Sequence, residues 1–223
     1  LFQDASAAML NRRNSAFGTG VELVDIDGDG DRDVIKTSAQ HPVAPWNTVM
    51  GQNGFGVYHV FNAPGLPFTQ VPGLPANPGI AAYMFTVADF NNDGRLDMYV
   101  VDDRTDHTNI ATGSVPDTSV SYNVLPVNAA RTTGFGGNVK VADVDADGDL
   151  DVGVADIDVN IAGCTRTFAL LQNNGQGQMS DPWGATNNPW NQSTHDFAFI
   201  DINGDGKLDL FQGQCNTYAV FIQ

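Results

Sequence analysis

The hydrophobic and polar positions of this chain follow short, strand-like patterns. Residues 85–88 and 98–101 combine alternation with the β-branched and aromatic side chains that strands favour. Helical periodicity is nearly absent, and 24 Gly and 11 Pro residues would interrupt most candidate helices. The pattern therefore predicts an all-β fold.

Four segments of the sequence repeat one another, each with an acidic loop between two predicted strands. The first aspartate of the loop recurs at intervals of 64, 54 and 58 residues, at Asp25, Asp89, Asp143 and Asp201. Such an interval corresponds to one supersecondary unit per repeat, and these units stack because none buries its apolar face alone. We therefore expect residues 1–223 to form a single domain of four repeats, with acidic loops at 25–33, 89–97, 143–151 and 201–209.

The two ends of the chain suggest how the repeats are arranged. The last repeat stops at Gln223, before its own turn and outer strand, whereas residues 1–4 resemble residues 68–70 of the first repeat. An N-terminal strand that completes the last blade would remove exposed sheet edges from a β-propeller. We predict a four-bladed β-propeller closed in this way. The alternative is part of a seven-bladed propeller, because a piece of a longer array would show the same two incomplete blades.

Each acidic loop has the form Asp-x-Asp/Asn-x-Asp-Gly-x-x-Asp. A hard cation needs several oxygen ligands from one short segment, and this spacing supplies four side chains and the backbone carbonyl of the seventh loop residue. The predicted ligands are Asp25, Asp27, Asp29, Asp33 and the carbonyl of Asp31; Asp89, Asn91, Asp93, Asp97 and the carbonyl of Arg95; Asp143, Asp145, Asp147, Asp151 and the carbonyl of Asp149; and Asp201, Asn203, Asp205, Asp209 and the carbonyl of Lys207.

The charge of the chain agrees with a cation-binding role. Its 26 acidic and 10 basic residues give a net charge of −16, and 16 of the acids lie in the four loops. Carboxylates this close together repel one another without a cation, and oxygen-only ligation favours Ca²⁺ over zinc, copper or the more hydrated Mg²⁺. We expect about four Ca²⁺ ions, one in each of the four loops. The alternative is four solvated, Asp-rich turns.

The same composition argues against several classes of partner. A chain this acidic is not expected to bind nucleic acid or anionic membrane surfaces, because like charges repel. No apolar run approaches the roughly 18 residues that a membrane-spanning helix needs. We therefore expect neither nucleic-acid binding nor membrane insertion.

The loops differ from those of EF-hands. An EF-hand loop opens in the same way but ends with a bidentate Glu at position twelve. Here that position holds Lys36, Val100, Val154 and Gln212, and the flanks are strands. In its repeated loop motif the chain resembles the FG-GAP or VCBS repeat family, whose calcium-loop blades look like those of integrin α-chain propellers. The resemblance implies extracellular propellers, commonly seven-bladed, that are used in adhesion and in ligand or sugar binding, with calcium as a structural clamp.

No catalytic motif is found in the sequence, and we predict that the protein is not an enzyme. The four histidines, His41, His59, His107 and His195, belong to no nucleophile or metalloprotease pattern. The polar cluster at 102–107 could be a ligand-binding loop, although a solvated turn is the favoured interpretation.

Three tryptophans and two cysteines also require an interpretation. Trp46, Trp183 and Trp190 lie in insertions between repeats, where aromatic rings can stack on sugars or pack loops, and loop packing is favoured. Cys164 and Cys215 fit no zinc or redox spacing. A disulfide between them would join neighbouring blades and indicate an oxidising compartment, and two unpaired thiols are the alternative.

These observations predict a secreted or surface-displayed module that binds a carbohydrate or an extracellular protein. The candidate ligand face comprises Trp46, His107 and residues 183–190. One alternative is a structural subunit of a fibre or sheath, assembled by strand pairing between chains. Another is an accessory domain of a secreted carbohydrate-active enzyme.

Overall fold

The computed structural model describes residues 20–26, 28–30, 32–38, 56–63, 66–71, 82–102, 106–112, 121–127, 135–157, 166–190 and 194–223. Within these ranges the regular secondary structure consists of strands and one short helix, α1 (Gly184–Asn187). The predicted all-β fold is therefore confirmed. None of the helical segments described has the length and apolar character needed to cross a membrane.

The described strands form four separate sheets, and strands adjacent in the chain are neighbours in each sheet. The first sheet consists of β1 (Val21–Val24), β2 (Asp33–Ser38), β3 (Gly56–Ala63) and β4 (Leu66–Val71). The second consists of β5 (Ala82–Ala88), β6 (Asp97–Asp102), β7 (His107–Thr112) and β8 (Ser121–Pro126). The third consists of β9 (Phe135–Ala142), β10 (Asp151–Ile157), β11 (Arg166–Asn173) and β12 (Met179–Ser180). The fourth consists of β13 (Thr194–Ile200), β14 (Asp209–Gln214) and β15 (Tyr218–Phe221).

Each acidic loop connects the first two strands of its sheet. In the first sheet, for example, β1 pairs with β2 in an antiparallel register that brings Val24 opposite Asp33, the last residue of the loop. The fourth sheet repeats this arrangement, with Ile200 opposite Asp209. One sheet therefore corresponds to one sequence repeat. The closing strand predicted at residues 1–4 lies outside the described residues, and the four-bladed ring stays a prediction.

The chain divides into two compact units, Leu1–Tyr83 with Ala111–Tyr122, and Met84–Ile110 with Asn123–Gln223. In the first unit, Ile26 and Ile35 are buried beside the first acidic loop. In the second unit, one apolar cluster is built around Phe90, Tyr99 and Met179, which are fully buried. The expectation of a single domain over residues 1–223 stays a prediction.

A second apolar cluster of the larger unit joins the third and fourth sheets. The rings of Phe168 and Phe197 meet edge to face, with centroids 4.9 Å apart. Gly153 of β10 makes this approach possible, because a Cβ atom there would lie 2.5 Å from Cε2 of Phe197 and 2.9 Å from Cζ of Phe199. A glycine in mid-strand weakens a sheet, so its presence is explained by this close contact between sheets.

Candidate metal centre

The first aspartate of each loop organises the backbone of the loop. Asp25 accepts hydrogen bonds from the amides of Asp29 and Gly30, at 3.0 and 2.9 Å. The corresponding aspartates of the other loops, Asp89, Asp143 and Asp201, accept the same two amides at 2.7 to 3.1 Å. These bonds curve the loop around the first carboxylate, so that the later acidic residues lie closer to it.

Glycine at position six of the loop completes the turn. Gly30, Gly94, Gly148 and Gly206 have φ values between 83° and 96°, which other residues adopt only with strain. No atom lies within 4 Å of the position that a Cβ would take at any of them. The requirement for glycine here is therefore a backbone conformation and not a lack of space.

The ninth loop residue differs from the other predicted ligands because it is buried. Asp33, Asp97, Asp151 and Asp209 are at most 2% exposed. In every loop one of its oxygens accepts the amide of the second loop residue, at 2.9 to 3.1 Å. In the third and fourth loops the other oxygen accepts the amide of Asn173 or Gln223, both at 3.0 Å. This aspartate therefore holds the loop to its sheet in addition to its predicted ligand role.

The third and fifth loop residues bond to the backbone two residues further on. In the second loop, Oδ1 of Asn91 accepts the amide of Asp93, and Oδ1 of Asp93 accepts the amide of Arg95. In the fourth loop, Asn203, Asp205 and Lys207 make the same two bonds. These contacts hold the side chains at positions three and five against the loop backbone.

The third loop brings carboxylates together most clearly. Asp143, Asp145 and Asp151 each supply one oxygen, and these atoms all lie within 4.8 Å of one another. A carboxylate that accepts two hydrogen bonds, as Asp151 does, still has lone pairs available for a cation. Three converging carboxylate oxygens suit a hard divalent cation, and no sulfur or imidazole ligand contributes to this cluster.

The electrostatics of the loops depend on burial. The pKa of Asp151 is raised to about 6, chiefly by burial and also by the charges of Asp145 and Asp147, although two backbone amides oppose the shift. The hydrogen bond from the side chain of Arg95 lowers the pKa of Asp93. Asp205 also has a lowered pKa, chiefly because it accepts the amide of Lys207. The third loop, with no basic side chain of its own, is the one that most needs a cation.

Two of the predicted ligands, Asp27 and Asp31, lie outside the described residues. The individual roles of the other residues as metal ligands stay predictions. Sequence reasoning missed Asn173, whose side chain donates to the carbonyls of Phe90 and Leu150 at 2.8 and 3.1 Å. The Asn-rich turn at 173–177 was its only signal in the sequence.

Outside the loops, the candidate ligand residues have structural contacts. Trp183 and Trp190 meet edge to face at 4.8 Å and pack against the second apolar cluster, as favoured from the sequence. Asp106 is 5% exposed and accepts a hydrogen bond from the hydroxyl of Tyr99 at 2.8 Å. The expectation of a solvated turn at 102–107 is therefore wrong for Asp106, which packs as part of the protein interior. Trp46 and Cys164 lie outside the described residues.

Comparison with known proteins identifies the repeat. Residues 155–211, which run from the end of β10 through the fourth acidic loop into β14, match the model of the FG-GAP-like repeat. The chain contains an FG-GAP-like repeat. The family resemblance drawn from the acidic loops is thus confirmed, and the FG-GAP segment contains one of the four loops. No curated protein matches the chain.

Proposed function

We propose that this protein is a calcium-stabilised extracellular module that binds a carbohydrate or a protein ligand and performs no catalysis. The FG-GAP-like repeat suggests an extracellular module of the binding or adhesion type. The finer proposal adds that its sheets are the blades of a β-propeller. The observation that carries it is the convergence of Asp143, Asp145 and Asp151 in the third loop.

Calcium fits the chemistry of that loop. Five aspartates lie within residues 143–151, so without a cation the folded loop concentrates negative charge that the unfolded chain can disperse. The buried Asp151 bonds to strand β11 through the amide of Asn173, which connects the loop to its sheet. When bound, Ca²⁺ would supply charge neutralisation and a fixed point between these carboxylates. Asp143, Asp145 and Asp151 would hold it.

Two buried polar side chains of the larger unit make structural contacts. Gln212 is fully buried and donates to the carbonyl of Trp190 at 3.0 Å. Asn173 holds the neighbouring acidic loop through the carbonyl of Phe90. Both side chains donate hydrogen bonds to backbone carbonyls, as is usual for buried polar groups with a structural role.

The extracellular location rests on the family and on the proposed disulfide. The FG-GAP-like repeat is typical of extracellular proteins. A disulfide between Cys164 and Cys215 would require an oxidising compartment. The mass of the intact chain, measured with and without reductant after thiol alkylation, would test it.

Calorimetric titration of the full chain with Ca²⁺, after treatment with a chelator, tests the proposal. We expect binding at several sites, a higher melting temperature with Ca²⁺ than with chelator, and a much weaker response to Mg²⁺. An identical melting temperature in both conditions, with no heat of binding, would overturn it. A glycan and matrix-protein array probed in millimolar Ca²⁺ then addresses the ligand.

One observation favours a second candidate function, a self-assembling subunit. Strand β15 has β14 as its only neighbour among the described strands, and a strand from a second chain would add to its other edge. Light scattering and negative-stain microscopy in Ca²⁺ distinguish the two functions. Monomers favour the binding module, and fibres favour the structural subunit.

A further inference from the structure

Gln223 takes in the fourth sheet the position that Asn173 takes in the third. The amide of Asn173 donates to Oδ1 of Asp151 at 3.0 Å, and the amide of Gln223 donates to Oδ1 of Asp209 at the same distance. Asp151 and Asp209 are both the ninth residue of their loops. The two sheets can therefore be compared residue by residue from this point.

In the third sheet, a turn and a strand follow Asn173 and cover the second acidic loop. The amides of Gly175 and Gly177 donate to Oδ1 of Asn173, which closes the turn. Gly177 lies directly against Ile110, with the Cβ of Phe90 also close. Met179 of β12 is fully buried in the first apolar cluster. Phe90, the second residue of the second loop, is fully buried in the same cluster.

In the fourth sheet, a pocket occupies the equivalent place. Val144 is the second residue of the third loop, as Phe90 is of the second. Gln172 occupies the position in the third sheet that Ile110 occupies in the second. Leu171 pairs with Val152 and Asn109 pairs with Met98, and Val152 and Met98 each directly follow the ninth residue of their loop. Val144 and Gln172 line a pocket of about 170 Å³ together with Phe221, Ile222 and Gln223. The pocket therefore lies where the third sheet places its turn and its outer strand.

We propose that this pocket, which we call the strand seat, binds an extended peptide segment of another protein. The segment pairs with the edge of β15 that no described strand occupies. It inserts one apolar side chain of the size of Met, which follows a glycine-containing turn. This inference rests on the proposed binding function and names the class of its ligand. Trp183 and Trp190, which also line the pocket, supply its aromatic wall.

Charge and exposure define the ligand further. Asp145 and Asp151 border the strand seat, and the third loop keeps a net charge of −3 even with one Ca²⁺ bound to its five aspartates. Basic residues next to the apolar anchor would therefore be favoured. Ile222 is 56% exposed at the rim, so an added strand has apolar surface left to cover. Residues 1–4 carry an acidic residue and no basic side chain, which makes them the poorer match.

The probe is a labelled peptide based on residues 174–180, Asn-Gly-Lys-Gly-Lys-Met-Ser, in which both glutamines are replaced by lysine. Its binding to the full chain is measured by fluorescence anisotropy in Ca²⁺, and protection of amides 218–223 by hydrogen exchange. We expect saturable binding and increased protection. Replacing the peptide's Met by Asp should weaken binding about tenfold or more, because the apolar anchor becomes a charge.

Matched protein variants locate the site. Ile222→Glu should weaken binding about tenfold, whereas Ile200→Glu should change it less than about twofold. Ile200 is 50% exposed on the same sheet and does not line the pocket, so it controls for the added charge. Circular dichroism establishes that both variants are folded.

Three results would overturn the strand seat. The first is absence of peptide binding by a chain that binds Ca²⁺, which leaves the calcium proposal intact. The second is equal loss of binding in both variants. The third is strong protection of amides 218–223 in the free monomer or in a self-associated form, which would mean that this protein fills the seat itself. Failure to bind Ca²⁺, by contrast, contradicts only the proposed calcium role.

Discussion

The side chain of Asn92 in the second acidic loop donates a hydrogen bond to Oδ1 of Asp149 in the third, at 3.0 Å. Two loops that are far apart in sequence are thereby connected through side chains. Asp149 also supplies the backbone carbonyl predicted to bind the cation of the third loop. Ordering one loop should therefore help to order the other.

Removing this connection should reduce the coupling between the two loops. Asn92 has a φ of 58°, so Asn92→Gly deletes the side chain without imposing backbone strain. We expect the variant to bind Ca²⁺ with a lower apparent affinity in the third loop and to lose about 1 kcal/mol of stability. Calorimetric titration and thermal melting in Ca²⁺ measure both effects. Unchanged titration curves would show that the loops bind independently.

The buried and exposed aspartates of the third loop should respond differently to the same substitution. Both carboxylate oxygens of Asp151 accept a backbone N–H, from Val144 and from Asn173. In Asp151→Asn the side-chain NH₂ group must face one of these donors. The lost hydrogen bond should lower the stability by about 1 to 3 kcal/mol even in chelator. Asp145 is exposed, so Asp145→Asn should weaken Ca²⁺ binding with little change in the chelator-treated protein. Melting temperatures in chelator and in Ca²⁺ separate the two. Equal losses in chelator would contradict the structural role of Asp151.

The raised pKa of Asp151 predicts an inverted pH dependence in the absence of Ca²⁺. Because its pKa rises from 3.8 to about 6 on folding, the native state binds the proton more tightly than the unfolded state. This contribution is fully present below about pH 4 and is lost as the pH rises through 6. The chelator-treated protein should therefore lose about 1 kcal/mol of stability between pH 5 and pH 7.

Calcium should reverse that trend. A cation competes with the proton for Asp151, so Ca²⁺ affinity should fall as the pH drops below about 6. The lowered pKa values of Asp93 and Asp205 affect stability only below their ordinary range near 3.8, outside this window. Thermal melts from pH 5 to pH 7 in chelator and in Ca²⁺ test both signs. Asp151→Asn should flatten the slope measured in chelator.

Glycine at position 153 should be needed for the contact between the third and fourth sheets. In Gly153→Ala the new Cβ would overlap the ring of Phe197, and overpacking of this kind costs about 1 to 3 kcal/mol. Gly213→Ala is the matched control, because its Cβ would meet only the carbonyl of Asp196, at an ordinary 3.5 Å. Denaturant unfolding measures both variants. A similar stability for the two would mean that the sheets separate easily.

The sequence predicted the repeated elements well because their signals are local. The loop motif determines its own turn, through carboxylates that bond to amides four and five residues away, such as those of Asp29 and Gly30 on Asp25. The strands on each side of the loop are predicted by the alternation of hydrophobic and polar residues. The all-β fold and the place of each loop between two strands are therefore evident from short windows of sequence.

Contacts between repeats could not be predicted in the same way. Nothing near Asn173 in the sequence indicates its bond to Phe90, 83 positions earlier. The polar residues around Asp106 likewise do not indicate that the hydroxyl of Tyr99 donates to it. The difference between the buried ninth aspartate and the more accessible third and fifth residues also depends on how the sheet covers the loop. These three positions carry similar Asp or Asn side chains, and only packing distinguishes them.

The edge-to-face pair of Trp183 and Trp190 provides an intrinsic spectroscopic signal in the larger unit. Both rings border the pocket that also contains Asp145 and Asp151, so an event at the third loop or at the strand seat changes their surroundings directly. Two indoles 4.8 Å apart are close enough to couple electronically, and this coupling is sensitive to their mutual angle. Near-ultraviolet dichroism and tryptophan emission should therefore follow both binding events in the unlabelled protein, with Trp46→Phe removing the third indole from the signal.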